Sequence, residues 1–241
     1  GYPKGAIWEY LMTLANSNYE DWRLANPNED IDNFKFSFSK MSKAGALFDM
    51  VKLADVSKNY ICRLSAEEVY EMVTDWAKEN NKKLYKLLVD DEEYAKAIFA
   101  IERGNAKPRK DISAWTDVEN YVSYFYSELW DRKFDFPDNL SNDDMIEILE
   151  LYKQIYDENV SSDDWFPQVR DMAETIGYAK APKVYKKDPD SYKGHVGDVA
   201  GVIRVAATGR RNTPDLYEIL QVLGKDEVMK RFDEAIESLR G

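Results

Sequence analysis

Asp198-Val199-Ala200-Gly201-Val202-Ile203-Arg204-Val205-Ala206-Ala207-Thr208-Gly209, followed after a short link by Thr213-Pro214-Asp215-Leu216-Tyr217-Glu218-Ile219-Leu220, is the stretch that decides the fold. Val199, Val202, Ile203 and Ala206 recur at three- and four-residue spacing, the period of one helix face. Gly209 is placed to end that helix, because a residue without Cβ enters the left-handed C-cap conformation without steric cost. Thr213 reads as the cap of the next helix, with Pro214 at its first position, where no N–H is needed. That helix runs to Gly224, and a last one carries Val228, Met229, Phe232, Ile236 and Leu239.

The same signals recur outward from there. Ser65-Ala66-Glu67-Glu68 has the spacing of a capping box and leads Val69, Met72, Val73 and Trp76 onto one face. Ser141 and Asp144 repeat that start ahead of Met145, Ile148, Leu149 and Tyr152. Near the first residues, Pro3 precedes Ile7, Tyr10, Leu11 and Leu14, again at helical spacing. Tyr121, Tyr124, Phe125, Tyr126 and Trp130 suit a buried helix face better than an exposed stacking surface. Only Phe34, Phe36 and Phe38 alternate, which predicts one short extended piece over 33–39. Strands never alternate with helices, so a parallel sheet is not expected and the expected fold is all-α. Loops are expected at 26–30, 104–112, 134–139 and 180–194.

Composition narrows the function. With 241 residues, 44% hydrophobic and 32% charged, the chain can bury an ordinary core in one large or two small domains. It contains no apolar run of membrane-spanning length and no secretory signal pattern. One cysteine, Cys62, and one histidine, His195, can build neither an internal disulfide nor a common zinc ligand set. A cytoplasmic location is therefore expected, with no cofactor for this chain. A helix follows at once on a first residue that is not methionine, which suggests a piece excised from a longer chain or an end produced by processing.

The net charge of −12 repels nucleic acid on average, but it is unevenly spread. Residues 180–214 hold eight basic side chains against three acids, and Arg103, Lys107, Arg109 and Lys110 form a second basic knot. A cationic stripe on an acidic body and a set of solvated lysine-rich loops are both compatible with that pattern.

Lys40-Met41-Ser42-Lys43 matches the lysine signature of class I aminoacyl-tRNA synthetases, and His195-Val196-Gly197-Asp198 resembles part of their histidine signature. Their order is reversed, Asp198 stands where a second histidine belongs, and no strand–glycine loop–helix unit accompanies them. The segment reads instead as a solvated turn before a buried pair, Leu47 and Phe48, with Asp49 capping the next helix.

A longer resemblance leads to one family. Gly1-Tyr2-Pro3-Lys4-Gly5-Ala6-Ile7-Trp8-Glu9-Tyr10-Leu11 resembles the segment that follows the lysine motif in bacterial glutamyl-tRNA synthetases. Phe36 to Asp49 is similar to that family's F-D-L-x-R-x-S-K-S-P-A-V-F-D, and Asn59-Tyr60-Ile61 to its N-x-x-Y-I. Ile203 to Gly209, Thr213 to Leu220 and Leu223-Gly224-Lys225 resemble its terminal L-R-x-A-L-T-G, P-x-L-F-E-I and L-G-K elements at matching spacing. The resemblance covers the whole chain in outline and is of motif quality over about a third of it.

What the resemblance implies is a tRNA-binding region. It consists of a helical stem-contact segment, 1–64, and an all-helical anticodon-binding domain in two parts, 65–166 and 167–241. Arg204, Thr213, Pro214 and Leu216 would line the pocket for the second and third anticodon bases. Arg109, Lys110 or Asp111 would face the first base, Arg109 being the arginine found there in some members. Arg210 and Arg211 would touch phosphates. The expected partner is tRNA-Glu, with tRNA-Gln as a further candidate, and neither DNA nor membrane. ATP and Mg would belong to a catalytic half covalently continuous with this chain, which alone should be inactive. An acidic, all-helical protein-interaction module without RNA binding is the alternative.

Overall fold

The computed structural model, which describes residues 1–41 and 47–241, is helical as expected, and caps read from the sequence set several helix starts. The chain divides into two units, Gly1–Tyr126 and Ser127–Gly241. The first unit contains α1 (Lys4–Ala15), α2 (Tyr19–Ala25), α3 (Met50–Ile61), α4 (Ala66–Asn80), α5 (Lys82–Asp90), α6 (Glu92–Ala100) and α7 (Val118–Val122). In it α1 packs on α3, and α4 packs on α5 and α6.

Ser65 caps α4 as its motif predicts: its hydroxyl accepts from Glu68 N, and Glu68 Oε2 accepts from Ser65 N at 2.7 Å. The buried face is Val69, Tyr70, Val73 and Ala77, so Met72, expected inside, lies outside it. The inward face of α1 is also rotated from the expected one. Ala6, Glu9 and Tyr10 are buried, whereas Ile7 and Leu11 are exposed. Polar partners account for that choice. Glu9 binds Arg23 at 3.0 Å and Arg63 at 2.6 Å, and Tyr10 Oη accepts from Asp49 N at 2.6 Å. A buried carboxylate is tolerable only where it is paired, so these contacts fix the helix's rotation.

Asp49 caps α3, accepting from Val51 N at 2.8 Å. The pair before it is not buried as expected: Leu47 is 88% and Phe48 56% exposed. Ser42 and Lys43 of the lysine motif lie outside the described residues. The extended piece expected over 33–39 is not a strand but two 3-10 turns, Ile31–Asn33 and Phe38–Lys40. Its phenylalanines find aromatic partners instead of a sheet, Phe34 against Tyr19 at 5.0 Å and Phe36 against Phe38 at 5.5 Å. Tyr124, Phe125, Tyr126 and Trp130 are buried, though not on one helix, since α7 ends at Val122 and a 3-10 turn follows.

The second unit contains α8 (Asn142–Ile155), α9 (Ser162–Thr175), β1 (Tyr178–Ala179), α10 (Pro182–Tyr185), β2 (Gly194–His195), α11 (Val196–Thr208), α12 (Leu216–Leu223) and α13 (Lys225–Arg240). Met145, Ile148, Leu149 and Tyr152 are all buried on α8, as their spacing predicts. The segment 180–194, expected to be a loop, holds α10 and is flanked by a minimal parallel pair in which Tyr178 faces Gly194. The limit expected between the two helical parts, 166/167, falls inside α9, which runs through Pro167. Helices α8 and α9 pack against α11, and α8 also packs against α13, so they share a core with the terminal helices. The division of the chain comes earlier, between Tyr126 and Ser127.

Candidate nucleic-acid interface

The elbow between α11 and α12 is built from the caps upward. His195, three residues ahead of Asp198, where the helix was expected to open, accepts from Gly197 N at Nδ1 (3.0 Å), and its own N–H donates to Asp198 Oδ2 at 2.8 Å. The sole histidine is thus a helix cap. Along α11 the buried Val199, Val202, Ile203 and Ala206 follow their predicted stripe. The helix ends at Gly209 with φ +77°, where its N–H donates to Val205 O at 2.7 Å. Glycine is required there twice over: the backbone is left-handed, and a Cβ would overlap the carbonyl oxygen of Lys133.

That carbonyl belongs to a strap, residues 130–138, that lies along the elbow. Asp135 N donates to Gly209 O at 3.1 Å, and Arg211 Nε donates to Asp135 O at 2.9 Å while its Nη2 reaches Phe136 O. Beneath them Arg231, only 1% exposed, lies with its guanidinium 4.1 Å from the centre of the Trp130 ring. It donates to Ala207 O at 2.7 Å and to Glu227 Oε1 at 2.8 Å, holding the last turn of α11 to α13.

Arg204 spans the elbow. Its Nη1 donates to Pro214 O at 2.6 Å, to Thr213 O at 3.2 Å and to Thr213 Oγ1. The structure therefore brings Arg204, Thr213 and Pro214 together, and their mutual bonds shape the turn. Thr213 is 6% exposed, Pro214 is buried and Leu216 is 2% exposed, so Leu216 packs under the elbow and offers no face to a base in this conformation. The expected cap is displaced as well. Asp215, not Thr213, caps α12, accepting from Glu218 N at 2.9 Å, and Pro214 precedes the helix. A carboxylate at this position suits both the unpaired N–H groups and the positive end of the helix dipole.

Arg210, Arg211 and Asn212 form the rim. Arg211 meets Asp135 at 3.1 Å and Asp138 at 3.7 Å besides the two strap carbonyls. Arg109 belongs to the other unit. Its Nε and Nη2 donate to the two oxygens of Asp111 at 2.7 and 2.9 Å, and these bonds push its pKa further up. Of the three candidates for the first-base position, Arg109 and Asp111 thus hold each other. Cys62 is buried, and burial pushes its thiol pKa up, away from the reactive thiolate.

Sequence reasoning missed the strap. The only signal at 134–139 was that of a loop, and its link to Gly209 joins residues far apart in the chain. Among the described residues no group of three or more His, Cys, Asp or Glu is arranged to hold a metal ion. No helix among them is long and apolar enough to cross a membrane.

Residues 190–236, which include the elbow, match the family model of an anticodon binding domain. The glutamate–tRNA ligase of Clostridium perfringens (strain SM101 / Type A) is 44% identical over 236 residues, covering 96% of this chain and 43% of that protein. The glutamate–tRNA ligase of Acetivibrio thermocellus is 43% identical, covering 98% of this chain and 43% of its own length. The chain thus spans less than half the length of these curated relatives. Among solved structures, a glutamate tRNA ligase from Elizabethkingia meningosepticum, in complex with its amino acid, shares the fold with a TM-score of 0.62 at 20% identity. That match covers 99% of this chain and 42% of the other. The glutamate-tRNA synthetase of Elizabethkingia anophelis has a TM-score of 0.63 at 18% identity, covering 98% and 41%. Over nearly all of its length this chain is thus similar to part of the glutamate–tRNA ligases, and its residues 190–236 match an anticodon binding domain.

Proposed function

We propose that this chain recognises tRNA-Glu, with the α11–α12 elbow receiving anticodon nucleotides, within a longer protein that attaches glutamate to that tRNA. One observation carries the reading: the stretch that matches an anticodon binding domain includes a turn whose half-buried bonds fix Arg204, Thr213 and Pro214 in one arrangement. Unstacked anticodon bases are read by such pre-formed polar recesses rather than by a groove-filling helix. Arg204 sets the elbow's shape, Thr213 and Pro214 present its backbone, and Leu216 supports it from below. Arg210 and Arg211 on the rim meet the RNA from outside, and Arg109, in the other unit, addresses the first anticodon base. The segment 1–64 contacts the stem, and 65–166 and 167–241 carry the anticodon loop.

In the longer protein ATP and Mg would activate glutamate for transfer to the tRNA 3′ end, and this chain would supply binding energy remote from that chemistry. The place of action is the cytoplasm, where tRNA is charged. tRNA-Gln is the second candidate RNA. The family match supports RNA binding over an acidic protein-interaction module.

Titration of the chain with tRNA-Glu and with a non-cognate tRNA, at several salt concentrations, tests the reading. Cognate binding should be tighter at every salt and weaken as salt rises, because neutralised phosphates release counterions. Arg204→Ala should lower cognate affinity by about 1–3 kcal/mol, the scale of a specific base contact. Equal, weak binding to all tRNAs would overturn the proposal.

A further inference from the structure

Phe134 and Phe136 have no role in the elbow as described so far, yet they stand on its strap. Their rings are stacked, 5.7 Å apart and 22° from parallel, on backbone that is neither helix nor strand. Both are half-buried, unlike the fully covered aromatic side chains of the unit's core. The pair is held from three sides. Trp130 meets Phe134 edge-on at 5.9 Å, Asp135 N donates to Gly209 O, and Arg211 grips the carbonyls of Asp135 and Phe136. A guanidinium thus lies beside a partly open aromatic stack, next to the turn that the preceding reading assigns to anticodon nucleotides.

We propose that Phe134 and Phe136 form a stacking platform for an unpaired base of the tRNA anticodon loop. The inference rests on the anticodon reading above and adds a binding element to it. Aromatic faces take any unstacked base, and a platform already fixed by hydrogen bonds loses little conformational freedom on binding. The surrounding charges favour a base over a phosphate as the occupant. Arg132 and Lys133 are offset along the strap by Asp131, Asp135 and Asp138, and Arg211 is already paired with the last two. The contribution of the platform should therefore be nearly independent of salt, unlike that of phosphate contacts.

The test uses the 241-residue chain with a tRNA-Glu transcript, its anticodon stem-loop, and stem-loops carrying an abasic residue at each loop position in turn. Phe136→Leu keeps apolar bulk but removes the aromatic face. It should weaken binding to the intact loop by about 5- to 150-fold, the range for loss of one base–aromatic stack, without changing the salt slope. One abasic position should weaken the parent chain equally and show no further loss with Phe136→Leu. Phe136→Trp should bind as the parent does. If Phe136→Leu and Phe134→Leu bind like the parent while Arg204→Ala weakens binding, the platform is refuted and the anticodon reading stands. If the parent distinguishes no tRNA at all, both fall. Should Phe136→Leu unfold, judged by circular dichroism, the abasic series on the parent decides alone: no sensitive loop position refutes the platform.

Discussion

The second unit closes over its own apolar surface, whereas the beginning of the first does not. On α8, α11 and α13 the predicted inward residues lie almost wholly inside. Between residues 7 and 51, by contrast, Ile7, Trp8, Leu11, Leu24, Phe36, Phe38, Leu47, Phe48, Met50 and Val51 are exposed. Beyond residue 51 the exposed large apolar side chains are few: Met72, Val89, Ile155 and Phe166. The difference teaches that helical periodicity reports a helix but not which of its faces is covered. Where the core is formed by neighbouring helices of the same unit, the apolar stripe and the buried face coincide. In α1 the buried ion pairs of Glu9 choose the rotation, and an apolar stripe is left outside.

That contrast can be broken by substitutions whose costs should fall in a definite order. Arg231→Ala should be the most damaging, by about 3–5 kcal/mol, because it opens a cavity under Trp130 and strands the carbonyl of Ala207. Urea denaturation measures it, and a loss below about 1 kcal/mol would show that the second unit does not depend on this buried cation. Next comes a pair of glycines with the same left-handed backbone. Gly209 and Gly104 have φ of +77° and +82°, but only Gly209 has a neighbouring atom in the way. Gly209→Ala should cost about 3 kcal/mol or more, backbone strain plus overlap with the strap, and Gly104→Ala about 1–2 kcal/mol from strain alone. Equal thermal shifts for the two would mean that the strap yields. The smallest effect should come from Leu47→Ser, within about 0.5 kcal/mol in this chain, since the side chain has no core to leave. A large loss there would contradict the exposure on which the comparison rests.

Much of the fold was legible because its determinants are local. Ser65, Asp49 and Ser141 announce helix starts within four residues, and Gly209 announces an end through the one backbone conformation it alone enters without strain. The candidate site was legible only as a set of residues. Arg204, Thr213 and Pro214 were identified by resemblance, and the structure brings them together. Their exposure was not readable, and neither was the shift of the cap to Asp215, because both depend on how the turn is bonded to itself and covered. The loop at 134–139 shows the limit most clearly: its composition says only that it is irregular.

By itself, then, the order of residues determined that the chain is all-α, where several of its helices begin and end, and which family its motifs resemble. Those outcomes follow from short-range sterics and from hydrogen bonds between near neighbours. Tertiary structure alone decided the rotation of α1, the exposure of Leu47 and Phe48, the sealing of Leu216 and the docking of the 130–138 strap on Gly209. Each of these depends on a partner distant in sequence, such as Arg63 for Glu9 or Lys133 for Gly209, and local periodicity carries no information about which distant partner a face will meet.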